Sequence, residues 1–432
     1  MISSLSKPID NAALIVFRIF FGFLLACESF GAIATGWVKK ILIDPQFTFS
    51  FIGFEWLQPL SGNGMYFYFF IMGILGILIM IGYRYTYAMI LYTLLWTGVY
   101  FMQKSSYNNH YYLLLIISFI MIFLPANKSY SLDTKLNNVE KTNFMPQWIK
   151  LVFITQIAIV YFYAAFAKLY PDWLDGTFTK NLLSGTTNNT LIFDLFSRKW
   201  FYISIAYTGI LYDLLIIPML LTKKTRTLAL ISSLIFHLFN AIFLQIGIFP
   251  FFALSFALFF YPPEKIRSLF LRKNKTIVID EAEKTFNSKI FLCFFTPFLI
   301  IQLLLPIRHY FIKGDVLWTE EGHRLSWRMM LRERSGYISF KIIDNSTNKS
   351  SYHDYHSDLS EKQSRQIATK PDFIWQYCQK IKNKHKDQDI SIYITCKNAI
   401  NRKEYKTLID PDYDMAKAKW NYFTHNEWIT TY

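Results

Sequence analysis

The sequence predicts an α-helical polytopic membrane protein of about nine transmembrane helices that carries a small C-terminal extramembrane α/β domain. Three observations predict it. Hydrophobic residues make up 53% of the 432 and charged residues only 17%, against roughly 25% charged in soluble domains. Apolar runs long enough to cross about 30 Å of hydrocarbon recur as far as residue 306. From Arg308 onward charges become frequent, apolar runs shorten and alternation takes over. This balance excludes a disordered chain and a collagen or disulfide scaffold, and it sets an ordinary soluble enzyme aside. Two domains follow: a multi-span membrane domain over 1–306 and the extramembrane domain over 307–432.

The apolar runs fall at 13–36, 65–82, 85–102, 110–124, 148–169, 200–221, 227–243, 245–261 and 290–306. Very short turns join the third to the fourth and the seventh to the eighth, so each pair forms an antiparallel hairpin. The first run lacks a small-residue cleavage site and reads as a retained span. With the N-terminus inside, the inner loops hold Arg84, then Lys128, Lys135, Lys141 and Lys150, then Lys223, Lys224 and Arg226. The last of them adds Lys265, Arg267, Arg272, Lys273, Lys275, Lys284 and Lys289. The outer loops hold fewer, chiefly Lys39, Lys40, Lys104, Lys180, Arg198 and Lys199. The positive-inside rule therefore predicts a cytoplasmic N-terminus, and an odd number of spans puts the C-terminal domain outside. Anionic lipid headgroups, and not nucleic acid, are the partner that the net charge of +15 implies.

In the C-terminal domain, 337–343 and 390–395 read as strands, with a Lys-rich helical segment over 357–384 between them. The link that leads into the domain carries Ile307, Tyr310 and Phe311 and little Gly or Ser. That composition predicts a domain held against the outer mouth of the bundle and not on a tether. The cysteines, Cys27, Cys293, Cys378 and Cys396, show no CxxC pair and no metal-ligand spacing, so no metal is expected. Cys378 and Cys396 either pair in an oxidising compartment or stay as two buried thiols.

Ionisable groups at membrane depth are costly, and each asks for a reason. Lys168 closes a run that includes Ala164, Ala165 and Ala167. It reads either as a lysine snorkelling to the headgroups or as a desolvated amine that serves as a base. Asn108, Asn109 and His110 open the fourth run. They form either a helix cap or a neutral imidazole with amide donors for an oxyanion. The start of run four and the end of run five share the outer side, so His110 and Lys168 can approach each other. His237 and Asn240, one turn apart, suit an interhelical hydrogen bond or a ligand contact about equally. Asp213 and Arg18 are candidates for a buried ion pair.

Several separated blocks then resemble the vitamin K-dependent gamma-carboxylases and their bacterial homologues, which share the HTTM membrane domain. They are Tyr-Asn-Asn-His-Tyr-Tyr-Leu at 107–113, Tyr-Phe-Tyr-Ala-Ala-Phe-Ala-Lys-Leu-Tyr-Pro-Asp-Trp-Leu at 161–174, and Phe-His-Leu-Phe-Asn at 236–240 running on to Phe249 and Pro250. Beyond the last span, Leu-Ser-Trp-Arg-Met-Met at 325–330, Ile-Asp-Pro-Asp at 409–412 and Ala418-Lys419-Trp420 look like that family's extramembrane domain. The resemblance implies an integral membrane enzyme, in a bacterial inner membrane, that oxidises reduced vitamin K or menaquinol with O2 to the epoxide. It implies that this oxidation drives addition of CO2 to the gamma carbon of a peptide glutamate. On it the catalytic base falls on Lys168 and the assisting histidine on His110, while Asn108, Asn109, His237 and Asn240 are placed at the quinone.

Three features depart from the animal members. They run on well beyond the equivalent of Trp428, their motif carries a lysine pair where Ala167-Lys168 stands here, and they bridge a first-loop cysteine to one resembling Cys378. Residues 37–64 contain no cysteine, so that bridge cannot form. Quinol chemistry is the leading expectation, with glutamate carboxylation left open. A non-catalytic quinone- or lipid-binding protein or scaffold of the same fold is the alternative. A transporter ranks third, because no repeated halves and no Gly/Pro-broken pair of spans are visible.

Overall fold

The computed structural model describes residues 2–185, 190–244, 246–271 and 288–431. Arg272, Lys273, Lys275 and Lys284 of the basic inner loop, and Gln245 at the predicted start of the eighth run, lie outside the described residues. All nine apolar runs form helices. They are α1 (Ala12–Ala34), α2 (Gly64–Ile81), α3 (Tyr85–Met102), α4 (Asn109–Ile122), α5 (Gln147–Ala167), α6 (Lys199–Leu221), α7 (Arg226–Phe243), α8 (Phe249–Phe259) and α9 (Phe291–Phe311). Six of these, α1, α2, α5, α6, α7 and α9, are long and apolar enough to cross a bilayer by length and composition. The others differ from the expectation of nine equivalent spans for visible reasons: α4 and α8 are shorter, and Tyr, Thr and Trp dilute the apolar character of α3.

The α1–α2 pair shows how small residues set helix spacing. A Cβ at Gly22 would lie 2.3 Å from the Met80 backbone nitrogen, and one at Gly76 would lie 2.6 Å from that of Ala26. Only glycine permits this approach, and van der Waals contact then replaces the hydrophobic effect that lipid cannot supply. Around the future site α5 packs on α6, α6 on α7, and α7 on α8. On the side where α1 begins, β1 (Pro8–Asp10) pairs antiparallel with β2 (Phe144–Pro146), and Arg267 holds Asp10 through two hydrogen bonds.

The C-terminal domain is a four-stranded antiparallel sheet in the order β4-β3-β5-β6, built from β3 (Arg334–Asp344), β4 (Ser350–His353), β5 (Ile390–Ile400) and β6 (Lys406–Thr407). Alternation puts Ile338, Phe340 and Ile342 opposite Cys396, Ile394 and Ile392, so one face of the sheet is a continuous apolar surface. The predicted 357–384 helix is two helices, α10 (Glu361–Ile367) and α11 (Pro371–Lys384). Pro371 lacks an N–H and biases Lys370 away from helical geometry, which divides them. Phe373, Ile374, Tyr377, Cys378 and Ile381 of α11 cover the sheet. Cys378 and Cys396 are buried free thiols, and burial pushes both up, Cys396 to about 12.

This domain is fastened to the bundle at several points. Trp327 is fully buried among the membrane helices, 4.8 Å from the ring of Tyr112. Phe49, from the loop between α1 and α2, stacks on Phe373 at 4.2 Å, and Gln376 and Gln363 donate to Ser50 O and Phe47 O. Asp372 accepts Lys104 at 2.7 Å and Arg324 at 2.6 Å. Burial pushes the Asp372 carboxyl up, but those two cations outweigh it and hold it down at about 2.

Candidate functional site

A cavity of about 390 Å³ lies between α5, α6 and α7, with α4 contributing at its edge. Its size falls within the roughly 300–1,000 Å³ of small-molecule sites. His110, Lys168, His237 and Asn240 all line it, so four of the six residues singled out in the sequence come together. The remaining two do not. Asn108 caps α4 by accepting the Tyr111 N–H at 2.7 Å. Asn109 donates to the Arg328 carbonyl at 2.9 Å and accepts from Tyr107 Oη, so it ties the C-terminal domain to the bundle.

Lys168 ends α5, and its Nζ is hydrogen-bonded and ion-paired with Asp213 Oδ2 of α6. The lysine side chain is 10% exposed and the carboxylate 5%. The expected Arg18–Asp213 pair is therefore not formed: Arg18 donates to the Tyr130 carbonyl at 2.6 Å. Asp213 has the nearer cation on the adjacent helix. The short helix Pro171–Leu174 folds Trp173 back so that its Nε1 donates to Ala206 O, and its ring centre then lies 5.4 Å from Lys168 Nζ. Carboxylate and aromatic face together fix the ammonium inside the cavity, which is incompatible with a lysine snorkelling to the surface.

His110 stacks on Phe249 with ring centres 3.7 Å apart and planes at 12°. Its ring nitrogens have no hydrogen-bond partner among the described residues. His237 Nε2 meets Tyr161 Oη at 3.1 Å and Tyr212 Oη at 3.3 Å, while Tyr212 Oη donates to Ser233 Oγ. His237 Nδ1 is buried without a partner among the described residues. Sequence reasoning misses Tyr161, Tyr212 and Phe249 as site residues. Each lies in or beside a family-like block or an intramembrane ion, but aromatic abundance across the chain hides them.

Met329 and Met330 of the C-terminal domain also line the cavity. The segment that delivers them is strained: Leu325, Trp327 and Met330 lie in the left-handed region at φ 59°, 55° and 48°. Non-glycine residues there cost about 1–2 kcal/mol each, held here by the burial of Trp327 and by the Leu325 N–H bond to Tyr107 Oη at 2.7 Å. Among the described residues no group of three His, Cys, Asp or Glu could hold a metal ion.

Two family models match the chain in succession. Residues 6–264 match the HTTM domain, and residues 287–432 match the vitamin K-dependent gamma-carboxylase lumenal domain. No solved structure matches the chain. The two matches follow one another over nearly the whole sequence, and the chain is a membrane protein that belongs to the vitamin K-dependent gamma-carboxylase family.

Proposed function

We propose that the protein oxidises reduced vitamin K, or menaquinol in a bacterial inner membrane, with O2 to the epoxide, and couples this to addition of CO2 at the gamma carbon of a peptide glutamate. One observation carries the reading: Lys168, Asp213, His110 and His237 line a single cavity whose other walls are mainly apolar and aromatic. A flat ring with two oxygens fits the groups present. His110 and Asn240 have no side-chain hydrogen-bond partner among the described residues, and His237 Nδ1 is buried without one. Those three residues would hold the ring oxygens, with Phe249 and Phe236 beside them.

A hydroquinone bound there supplies the reducing equivalents for O2 and, through that reaction, a basicity that no side chain has. Asp213 keeps Lys168 Nζ in the cavity and is the acceptor to which the ammonium first passes its proton. The amine so formed removes a proton from a hydroxyl within hydrogen-bond reach. His110, stacked and otherwise unpartnered, orients that hydroxyl. The apolar walls exclude water, which would consume a strong base.

In the same reading residues 1–306 are the membrane domain, with a cytoplasmic N-terminus and residues 307–432 on the opposite side. The basic bias of alternate loops supports this. Labelling of single cysteines in intact cells tests it, and reaction of C-terminal positions only after lysis would reverse it.

The Lys168–Asp213 pair also favours a second reading, a quinone-binding protein without catalysis, because a satisfied pair is a structural element in its own right. Incubation of the purified protein with reduced vitamin K and O2, followed by chromatography, separates the two. Epoxide supports the oxygenase, and bound quinone without epoxide supports the binding protein.

A further inference from the structure

The cavity reaches the outer surface of the bundle between α6 and α7, and both helices show the same gradient. On α6 the lining runs from Thr208, which is exposed, through Ile205, Tyr212 and Gly209 to Asp213, which is 5% exposed. On α7 it runs from Ile235, which is 66% exposed, through Phe239 and Phe236 to His237, at 2%. At 3.6 residues per turn these are successive positions round each helix, from the face that meets lipid to the face that meets the bundle interior. The outer end of the cavity is apolar apart from the Thr208 and Ser232 hydroxyls. The inner end holds Lys168, Asp213 and His237.

The two helices are tied at one level. Tyr212 stacks on Phe236 at 4.0 Å, and Tyr212 Oη bonds Ser233 Oγ at 3.1 Å. At the end of α7 its last residue, Phe243, meets Phe196 with ring centres 5.5 Å apart. Between these levels Ile205 and Thr208 on one side and Ile235 and Phe239 on the other border the opening.

We propose that this opening is a lateral portal and tail subsite: the ligand enters from the bilayer head first, and its long hydrocarbon tail stays between α6 and α7. The occupant is the prenyl tail of the quinol and not a lipid acyl chain, because the opening is continuous with the polar end where the ring is placed. The inference rests on the proposed function for the identity of that ring. A tail lying there buries apolar surface without crossing water, and each additional prenyl unit adds affinity.

The test uses the full-length protein in phosphatidylcholine nanodiscs and oxidised quinones, so that binding is read without turnover. Equilibrium binding is measured for a long-chain menaquinone and for an analogue with one prenyl unit. Thr208→Trp and Ile235→Trp fill the opening, and Leu238→Trp, on the exposed face of α7 but outside the lining, is the control. Each filling variant should weaken the long-chain quinone by roughly tenfold while the short analogue stays within about twofold. The control should match the parent protein. A diazirine at the end of the tail should label α6 and α7. Equal loss for both quinones, loss for neither, or labelling elsewhere would overturn the portal. So would a diazirine phospholipid that labels the same positions and is not displaced by the quinone. Tail-dependent binding without epoxide leaves the portal standing and removes the proposed function; epoxide formation with tail-independent binding does the reverse.

Discussion

The ammonium of Lys168, where α5 ends, is ion-paired with the carboxylate of Asp213 in α6, and both groups line the cavity that His110 and His237 also reach. Taking two charges out of water is expensive, and mutual attraction offsets the cost only while both are present. Asp213→Leu and Lys168→Met should therefore each destabilise the protein by about 3–5 kcal/mol, whereas the double variant should fall within about 1–2 kcal/mol of the parent. Unfolding transitions in detergent for all four proteins complete the cycle. Additive losses would mean that the pair is not coupled in the folded protein.

Asp372 gives a prediction for acid. Because Arg324 and Lys104 hold its carboxyl at about 2, below the roughly 3.9 of a free aspartate, its contribution to stability is complete above pH 4. It is lost only as pH falls through about 2. Docking of the C-terminal domain, read by limited proteolysis with an acid-tolerant protease, should survive at pH 4 and weaken toward pH 2. Asp372→Asn should expose the domain to cleavage at neutral pH, since two buried cations lose their partner.

Lys370 behaves in the opposite sense. Burial first, and the nearby Arg324 guanidinium second, lower it to about 7, with the Phe373 ring 4.8 Å from Nζ. The unfolded chain, at roughly 10.4, binds more protons between pH 7 and 10, so this residue's penalty is full below pH 7 and fades as pH rises. Lys370→Met should raise the melting temperature at pH 6.5 and have a smaller effect at pH 9.5. A gain that grows with pH would contradict the assignment.

The membrane part is legible because a long apolar run in a chain of low charge can satisfy its own backbone in lipid only as a helix, and each of the nine runs is one. Pairing is not legible. Arg18 and Asp213 are both visible as intramembrane ions, but nothing in spacing along the chain tells that Asp213 faces Lys168 across the α5–α6 contact. Asn108 and Asn109 are visible as polar residues at a helix start; whether their amides turn inward or cap the helix depends on the neighbouring Arg328 carbonyl and the Tyr111 N–H. The strands β3 and β5 announce themselves by alternation, while β4 and β6, of 4 and 2 residues, are too short to show a period. Met329 and Met330 reach the cavity through a left-handed backbone at non-glycine residues, which local propensity argues against.

Whether Lys168 acts as a base is decided most directly by Lys168→Arg. Guanidinium can keep the ion pair with Asp213 and the contact with Trp173, but it stays protonated at any working pH. If Lys168 is the base, the Lys168→Arg protein folds, binds quinone nearly as the parent does and forms no epoxide from reduced vitamin K and O2, and Lys168→Ala is equally inactive. Epoxide formation by either variant at the parent rate would contradict it.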